Sequence, residues 1–189
     1  MSERLFKTNI LDFQRQKLQE AAARAEAILE RDLLNPALPG MLDAIAQGFG
    51  FTVAKLQPEG RKGKRRKEHR DTGDSGADHA IEVSLIDVTI PMEGHPNSLT
   101  IAPARANLIE TPAAKIPGAL LVTFDDDDDL DRNVDSFITQ VSENLDRLRG
   151  EMETFKAQVR NAIGTITDRR VAQLRAQHER DRKRSFPIE

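Results

Sequence analysis

The sequence contains no cysteine, no tryptophan and no tyrosine, and phenylalanine supplies all eight of its aromatic residues. The lack of cysteine excludes disulfides, thiolate chemistry, and cysteine-ligated zinc or iron–sulfur centres. The lack of tryptophan and tyrosine leaves few side chains that stack on bases or anchor a partner surface. Recognition by this chain must therefore depend on charged, aliphatic and phenylalanine side chains.

Long apolar runs are also missing. No stretch approaches the length of a membrane-spanning helix, and the N-terminal residues MSERLFKTNI lack the apolar core of a signal peptide. The net charge of −3 provides no overall field that would favour nucleic acid or a membrane as the partner. We therefore expect a soluble, cytoplasmic protein with no membrane partner.

The sequence lacks the usual patterns of catalytic or nucleotide-binding residues. It has neither a GxGxxG loop nor a GxxxxGK[ST] loop, which are the common phosphate-binding patterns. Its four histidines (His69, His79, His95 and His178) are scattered, without the spacing of a helical metal pair. We expect a protein that is not an enzyme and that has no cofactor and no metal site.

The strongest pattern is an apolar stripe at steps of three and four residues, which predicts a long amphipathic helix. Its members are Val134, Phe137, Ile138, Val141, Leu145, Leu148, Met152, Phe155, Val159, Ile163 and Ile166. A stripe of about four heptads requires a partner: the chain's own sheet, its own N-terminal helix, or a second copy. The predicted interface residues are Val141, Leu145, Leu148, Met152, Phe155, Val159 and Ile163. Gly150 interrupts the pattern and marks a kink, a hairpin corner or neither.

The N-terminal part of the sequence predicts two further helices. The first spans about Thr8 to Asp32 and ends before the proline- and glycine-containing segment 35–40. Its predicted apolar face consists of Leu11, Leu18, Ala21, Ala22, Ala25, Ile28 and Leu29. A shorter helix is predicted from Pro39 to Gln47, and a brief strand at Phe51–Ala54.

Residues 57–78 are nearly devoid of apolar side chains and predict a mobile polar insert. Seven of the ten residues from Arg61 to Arg70 are lysine or arginine. A nucleic-acid contact would use Arg61, Lys62, Lys64, Arg65, Arg66, Lys67 and Arg70. The alternatives are a solvated charged loop and a clamp that pairs with the five aspartates of Asp125–Asp129.

The region after His79 predicts a small, mostly antiparallel sheet of three to five strands. Residues 79–91 alternate in part, with a phase slip between Leu85 and Ile86 that is typical of a β-bulge or a bend. Further strands are predicted at Ser98–Ala102, Ala104–Glu110 and Ala119–Phe124.

Two polar motifs flank the long helix. The aspartate run Asp125–Asp129 suits the N-terminus of the helix, where carboxylates cap free N–H groups. The alternative is a Mg²⁺ or Ca²⁺ site, although the spacing is not that of an EF-hand loop. Near the other end, Arg169 and Arg170 suit either a basic helix terminus or recognition of a carboxylate or phosphate.

Together these patterns predict an α+β fold. A small, mostly antiparallel sheet is combined with an N-terminal helix and a long, coiled-coil-like C-terminal helix. The regions are an N-terminal helical part (1–56), a flexible basic and polar insert (57–78) and a sheet with the long helix (79–189). The first and the last are expected to form one domain.

Residues 80–189 resemble the sheet-plus-long-helix module of uncharacterised prokaryotic proteins encoded among antiviral defence genes. The resemblance rests on Ile90-Pro91-Met92-Glu93-Gly94, the acidic strand end, and a helical series followed by a proline near the end. That series consists of Phe155, Val159, Ile163, Ile166, Arg169 and Arg170. The family often has asparagine after the helix aromatic, whereas here Lys156 follows Phe155. In that family the module commonly precedes an effector domain, so the resemblance implies a defence-associated structural or sensing part.

Three functional hypotheses follow. The first is a non-enzymatic assembly, adaptor or sensing subunit of a prokaryotic defence-type complex that acts through helical protein–protein contacts. It would form a homo-oligomer or join a multi-protein complex. The second is an accessory protein that binds nucleic acid through residues 61–70 and the basic tail. The third is a metal-dependent enzyme at the aspartate run, for which the sequence gives the least support.

Overall fold

A computed structural model describes residues 2–71 and 80–184 and confirms the α+β class. The helices are α1 (Ile10–Glu26), α2 (Glu30–Leu33), α3 (Leu38–Gln47) and α4 (Leu130–Arg182). The strands are β1 (Thr8–Asn9), β2 (Lys55–Leu56), β3 (Lys62–Asp71), β4 (Ala80–Glu93), β5 (Ile101–Ala102), β6 (Ala113–Ile116) and β7 (Ala119–Asp125). The predicted sheet, N-terminal helix and long C-terminal helix are all present.

The chain divides into two compact units that share α4. The first unit consists of Met1–Ile10 and Thr52–Arg149, and the second of Leu11–Phe51 and Gly150–Glu189. These limits differ from the three regions drawn from composition, because α4 contributes to both units.

The first unit contains a five-stranded antiparallel sheet with β4 at its centre. β7 pairs with one edge of β4 and is followed by β6, while β2 and β3 also pair with β4. A separate two-stranded parallel ladder joins β1 to β5. Phe124 of β7 and Phe137 of α4 form an edge-to-face ring pair with centroids 5.9 Å apart, which places α4 against the sheet.

The prediction of a β-bulge in β4 is wrong. The register runs without a break from Lys62↔Thr89 to Asp71↔Ala80, and from Leu85↔Asp125 to Pro91↔Ala119. Leu85 and Val88 are both buried although they lie on opposite faces of the strand. The phase slip in the sequence therefore reflects a central strand that is buried on both faces.

The prediction of a mobile insert at residues 57–78 is wrong for most of these residues. A 3₁₀ turn (Pro58–Gly60) is followed by β3, whose ten residues all pair with β4. Composition alone suggested disorder, but the ladder gives the backbone its hydrogen-bond partners, and carboxylates on other elements face several of the cations. Residues 72–78 lie outside the described residues.

Other strand predictions are corrected locally. Ser98–Ala102 is mainly a 3₁₀ turn (Pro96–Thr100) followed by β5, and Ala104–Glu110 contains no strand. In the predicted strand Phe51–Ala54, only Val53 forms an isolated bridge, to His95. The short strand β6 was not predicted, whereas Ala119–Phe124 is confirmed within β7.

The second unit packs α1, α2 and α3 with the C-terminal part of α4. Phe13 of α1 makes edge-to-face contacts with Phe51 and Phe155, with centroids 5.7 and 6.1 Å apart. A second cluster joins Ile28, Leu33 and Leu174. α1 ends at Glu26 rather than near Asp32. Of its predicted apolar face, Ala21, Ala25 and Ile28 are buried, whereas Leu11 and Leu29 are exposed.

Helix α4 is continuous over 53 residues and includes Gly150, so neither a hairpin corner nor a break occurs there. Each member of its predicted stripe from Val134 to Ile163 is buried, and Ile166 is half-buried. None of the helices in the described part of the chain combines the length and apolar character needed to cross a bilayer.

Candidate interaction surfaces

The residues predicted as an interface on α4 are buried within the single chain. Val141, Leu145 and Leu148 lie in the core of the first unit, and the others lie in that of the second. The latter are Met152, Phe155, Val159 and Ile163, all at most 1% exposed. This corrects their assignment as an intermolecular interface. The sequence left several partners possible for the apolar stripe of α4, and in the structure other elements of the same chain cover it.

The cations of residues 61–70 lie in and just before β3, and their described side chains (61–69) form what we call the basic edge. In a strand, alternate side chains point to opposite faces. Lys62, Lys64 and Arg66 therefore share one face, and Arg65 and Lys67 share the other. The described side chains are exposed or half-buried, and β4 is the only described strand that pairs with β3. The side chain of Arg70 is outside the description.

Several cations of the basic edge form ion pairs within the first unit. Arg61 Nη1 lies 2.5 Å from Asp135 Oδ1, and Arg65 Nε lies 2.7 Å from Asp126 Oδ2. Lys67 pairs with Glu82. The contact between Arg65 and Asp126 confirms, for this one pair, the alternative in which the basic segment contacts the aspartate run.

Arg66 contacts two carboxylates at once. Its Nε lies 3.1 Å from Asp87 Oδ2, and its Nη1 donates to Glu68. Hydrogen bonds to Glu68 and then to Asp87 raise the pKa of Arg66. Asp87 also accepts a hydrogen bond of 2.7 Å from the hydroxyl of Thr123 on β7. This group ties β3, β4 and β7 together through side chains.

The carboxylates that face the basic edge are held in their charged form. The hydroxyl of Ser84 donates to Asp126 at 2.8 Å, and this bond, followed by that from Arg65, lowers the pKa of Asp126. A hydrogen bond from Lys67 lowers the pKa of Glu82. The negative charges along this surface therefore persist at neutral pH.

Lys62 and Lys64 differ from their neighbours. Both are exposed, and neither forms an ion pair with any other residue in the described part of the chain. They lie on the same face of β3, two residues apart. They are thus the cations of the basic edge that remain available to a ligand.

The five aspartates before α4 do not converge on one point. Asp126 binds Ser84 and Arg65, Asp127 accepts the N–H of Asp129 at 3.0 Å, and Asp129 pairs with Arg132. Within residues 2–71 and 80–184, no group of three or more histidine or carboxylate side chains is placed to hold a metal ion.

A second exposed surface, in the second unit, was not predicted. Leu29, Leu34 and Met41 are 54%, 40% and 36% exposed, and we call these three side chains the low-charge surface. Between Asp32 and Lys55 the sequence has a single charged residue, Asp43, which pairs with Arg160 at 2.9 Å. This absence of charge around Leu34 and Met41, in a chain with 31% charged residues, is the sequence feature that would have revealed these two side chains. Leu29, in contrast, precedes the stretch and is followed by Glu30 and Arg31.

A cleft of about 450 Å³ lies between α3 and α4 in the same unit. Leu38, Pro39 and Leu42 supply its apolar wall, and residues of α4, among them the charged Arg160 and Asp168, supply the opposite wall. Gly164 lies among those α4 residues, and a Cβ at this position would meet no atom within 4 Å. The cleft is therefore open enough to take an additional side chain.

Comparison with protein-family models, with curated proteins and with solved structures finds no match to this chain. The class that can be stated is therefore that of the fold: an α+β protein with an antiparallel sheet and a long C-terminal helix.

Proposed function

We propose that the protein is a non-enzymatic adaptor or assembly subunit of a cytoplasmic multi-protein complex, and that it binds a protein partner through α2, α3 and the residues beside them. The observation that carries this proposal is the low-charge surface. Its three large apolar side chains are exposed within a short stretch of sequence, and exposed apolar patches are typical of protein–protein contact sites. The contact is helical, as the sequence predicts, but it involves α3 rather than the apolar stripe of α4.

The cleft beside α3 supports the same proposal. Interfaces gain most of their affinity from a few side chains that enter well-packed pockets. The wall formed by Leu38, Pro39 and Leu42 offers such a pocket to an apolar side chain of the partner. The assignment to a defence-type complex rests on the resemblance of residues 80–189 alone.

The test is cross-linking in the native host followed by mass spectrometry of proteins bound to the tagged full chain. The variant carries Leu34→Asp and Met41→Asp, which place charges on the exposed low-charge surface. The matched control is Leu108→Asp, because Leu108 is 63% exposed in the first unit. We expect discrete protein partners with the wild type and the control, and an at least tenfold loss with the double variant.

The proposal is contradicted if the double variant recovers the same proteins as the wild type at the same level. It is also contradicted if the cross-linked material is nucleic acid without protein. Circular dichroism and thermal melting of each variant separate loss of binding from loss of folding.

A second candidate function is binding to nucleic acid. It is favoured by Lys62 and Lys64, which are exposed and have no ion pair within the described residues. It stands second because the neighbouring cations of the basic edge already contact carboxylates, which repel phosphates. It predicts oligonucleotide binding that weakens steeply with salt and is lost when Lys62 and Lys64 are changed to glutamate. Binding that is absent, or independent of salt, removes this candidate.

A further inference from the structure

We infer that the outer edge of β3 binds an extended acidic polypeptide segment, which adds to the sheet as a further strand. This inference concerns the basic edge in the first unit and goes beyond the proposed role of the low-charge surface in the second. Its first support is the backbone. In an antiparallel ladder, alternate residues direct their N–H and C=O groups away from the paired strand. About half of the ten residues of β3 therefore present these groups outward.

The geometry of β3 leaves this edge open to pairing. Natural sheets commonly protect an edge by keeping its strand short, by a bulge, or by a proline. The ladder of β3 with β4 is ten residues long and regular, and β3 contains no proline. Its protection consists of lysine and arginine side chains. Protection of this kind rejects some strands and accepts others, according to their charge.

The charges exclude a second copy of β3 as the occupant. Pairing two copies of this strand would place many lysines and arginines close to one another, and like charges across strands are destabilising. An acidic strand has the opposite effect. Carboxylates two residues apart on such a strand would match Lys62 and Lys64, which share a face and have no ion pair within the described residues.

The existing ion pairs do not block this arrangement. The side chains of Arg65 and Lys67 are 67% and 68% exposed although each contacts a carboxylate. Exposed ion pairs of this kind contribute little to the stability of the fold, because water and salt screen them. These two cations, on the opposite face of β3 from Lys62 and Lys64, can therefore exchange partners or share them with an incoming acidic side chain.

A polypeptide fits the edge better than a nucleic acid does. Residues 61–71 contain no phenylalanine, tyrosine or tryptophan on which a base could stack, and stacking is the main sequence-tolerant contact of single strands. The unpaired N–H and C=O groups of a strand edge are complementary to another peptide backbone. A phosphodiester chain provides acceptors but no matching donors.

The test uses the full-length protein and a labelled ten-residue peptide in which glutamate alternates with threonine, with binding followed by fluorescence anisotropy. A second peptide has proline in place of every threonine, which keeps the charge but removes donors and prevents a ladder. We expect the threonine peptide to bind at least tenfold more tightly than the proline peptide. Hydrogen exchange of amides in Lys62–His69 should slow on binding, whereas amides of β6 should not change.

The charge requirement is tested with Lys62→Glu combined with Lys64→Glu. We expect an at least tenfold rise in Kd for the threonine peptide, and recovery with Lys62→Arg combined with Lys64→Arg. The matched control is Arg175→Glu combined with Arg180→Glu, which makes the same charge change at exposed positions of α4. This control should bind as the wild type does.

Three results overturn the inference. The first is equal affinity for the two peptides, which shows attraction without strand pairing. The second is unchanged hydrogen exchange in β3 when the peptide is bound. The third is a ten-nucleotide single-stranded DNA that binds at least tenfold more tightly than the peptide and depends on Lys62 and Lys64, which assigns the edge to nucleic acid. Leu34→Asp with Met41→Asp should leave peptide binding unchanged, so this test and that of the proposed function fail independently.

Discussion

The side chain of Asn144 pairs with both backbone groups of Asn107. Asn144 Oδ1 accepts the N–H of Asn107 at 2.7 Å, and its Nδ2 donates to the carbonyl of the same residue at 3.0 Å. Asn144 is fully buried on α4, so this amide replaces the strand partner that residues 104–110 lack. The pairing explains how this part of the chain remains ordered without forming the predicted strand.

We predict that Asn144→Ala lowers the free energy of unfolding by about 1–3 kcal/mol, because it leaves two partly buried backbone groups of Asn107 without their partners. The matched control is Asn107→Ala. It removes an exposed side chain that contacts Glu143 and Arg147 but keeps the backbone groups that bind Asn144. Urea denaturation checks both variants. An equal loss in the two would show that the exposed contacts hold the segment instead.

A second prediction concerns Arg170, whose guanidinium binds the end of α1. It donates to the carbonyls of Ala25 and Ile28 at 2.9 and 2.8 Å, and its side chain is only 19% exposed. Arg170→Ala should cost about 1.5–3 kcal/mol, the range for hydrogen bonds to charged groups. Arg170→Lys should recover little of this, because the single nitrogen of an ammonium group cannot take the positions of the two guanidinium nitrogens that donate to different carbonyls.

The neighbouring residue provides the control for Arg170. Arg169 pairs with Glu26 at a more exposed position, so Arg169→Ala should cost only about 0–1 kcal/mol. Thermal or denaturant unfolding of the two variants under one set of conditions makes the comparison. If Arg169→Ala proves the more damaging, the end of α1 is not held by Arg170.

A third prediction tests whether the apolar stripe of α4 belongs to the core of a single chain or to an interface between copies. Leu148 is fully buried within the chain, and Leu148→Ala should cost about 2–5 kcal/mol. Because the chain itself buries this residue, the melting temperature of the wild type should not vary with protein concentration. Leu108→Ala, at an exposed position, should have almost no effect. A melting temperature that rises with concentration would restore the stripe of α4 as an interface between copies.

A fourth prediction concerns acid. Hydrogen bonds from Lys115 and Lys7 lower the pKa of Glu3 from 4.5 to about 2. A carboxyl whose pKa is lower in the folded state adds stability that is fully present above the unfolded value and is lost as pH falls through the folded value. The contribution of Glu3 should therefore be complete above about pH 4.5 and disappear near pH 2.

Glu3→Gln is the variant that tests this dependence, because it removes the charge but keeps the backbone bridge between Glu3 and Ala113. The difference in stability between variant and wild type should shrink as pH falls from 4.5 to 2. Titration of the Glu3 carboxyl by nuclear magnetic resonance measures the pKa directly. A midpoint near 4.5 would show that the two lysines do not hold this carboxyl in solution.

The sequence predicted those parts of the fold that depend on local pattern. The apolar stripe of α4 repeats at helical spacing, so its extent and its buried face follow from the sequence alone. The identity of the buried partner did not follow, because a stripe shows only that one face is covered. Phe13, which lies against α4 in the second unit, is more than one hundred residues away from it in sequence.

The basic strand was missed for a related reason. The residues that make β3 a strand are its partners on β4, and those that face its cations include Asp126 and Asp135 from later in the chain. A local count of charges and apolar residues contains none of this information. The low-charge surface was missed because the sequence was searched for charged and apolar residues that are present. The feature that indicates this surface is a lack of charged residues on either side of Asp43.

The ladder of β3 with β4 extends further than the rest of the sheet. The pairing of β4 with β7 begins at Leu85, and Ser84 adds a single backbone bond to Asp126, so residues 80–83 pair with no described strand other than β3. A two-stranded ribbon is marginally stable by itself. The strand should therefore fray from Asp71 toward its centre, with amide exchange slowing toward Lys62. An incoming strand would meet a stable ladder at the lysine end and would have to arrest this fraying at the other.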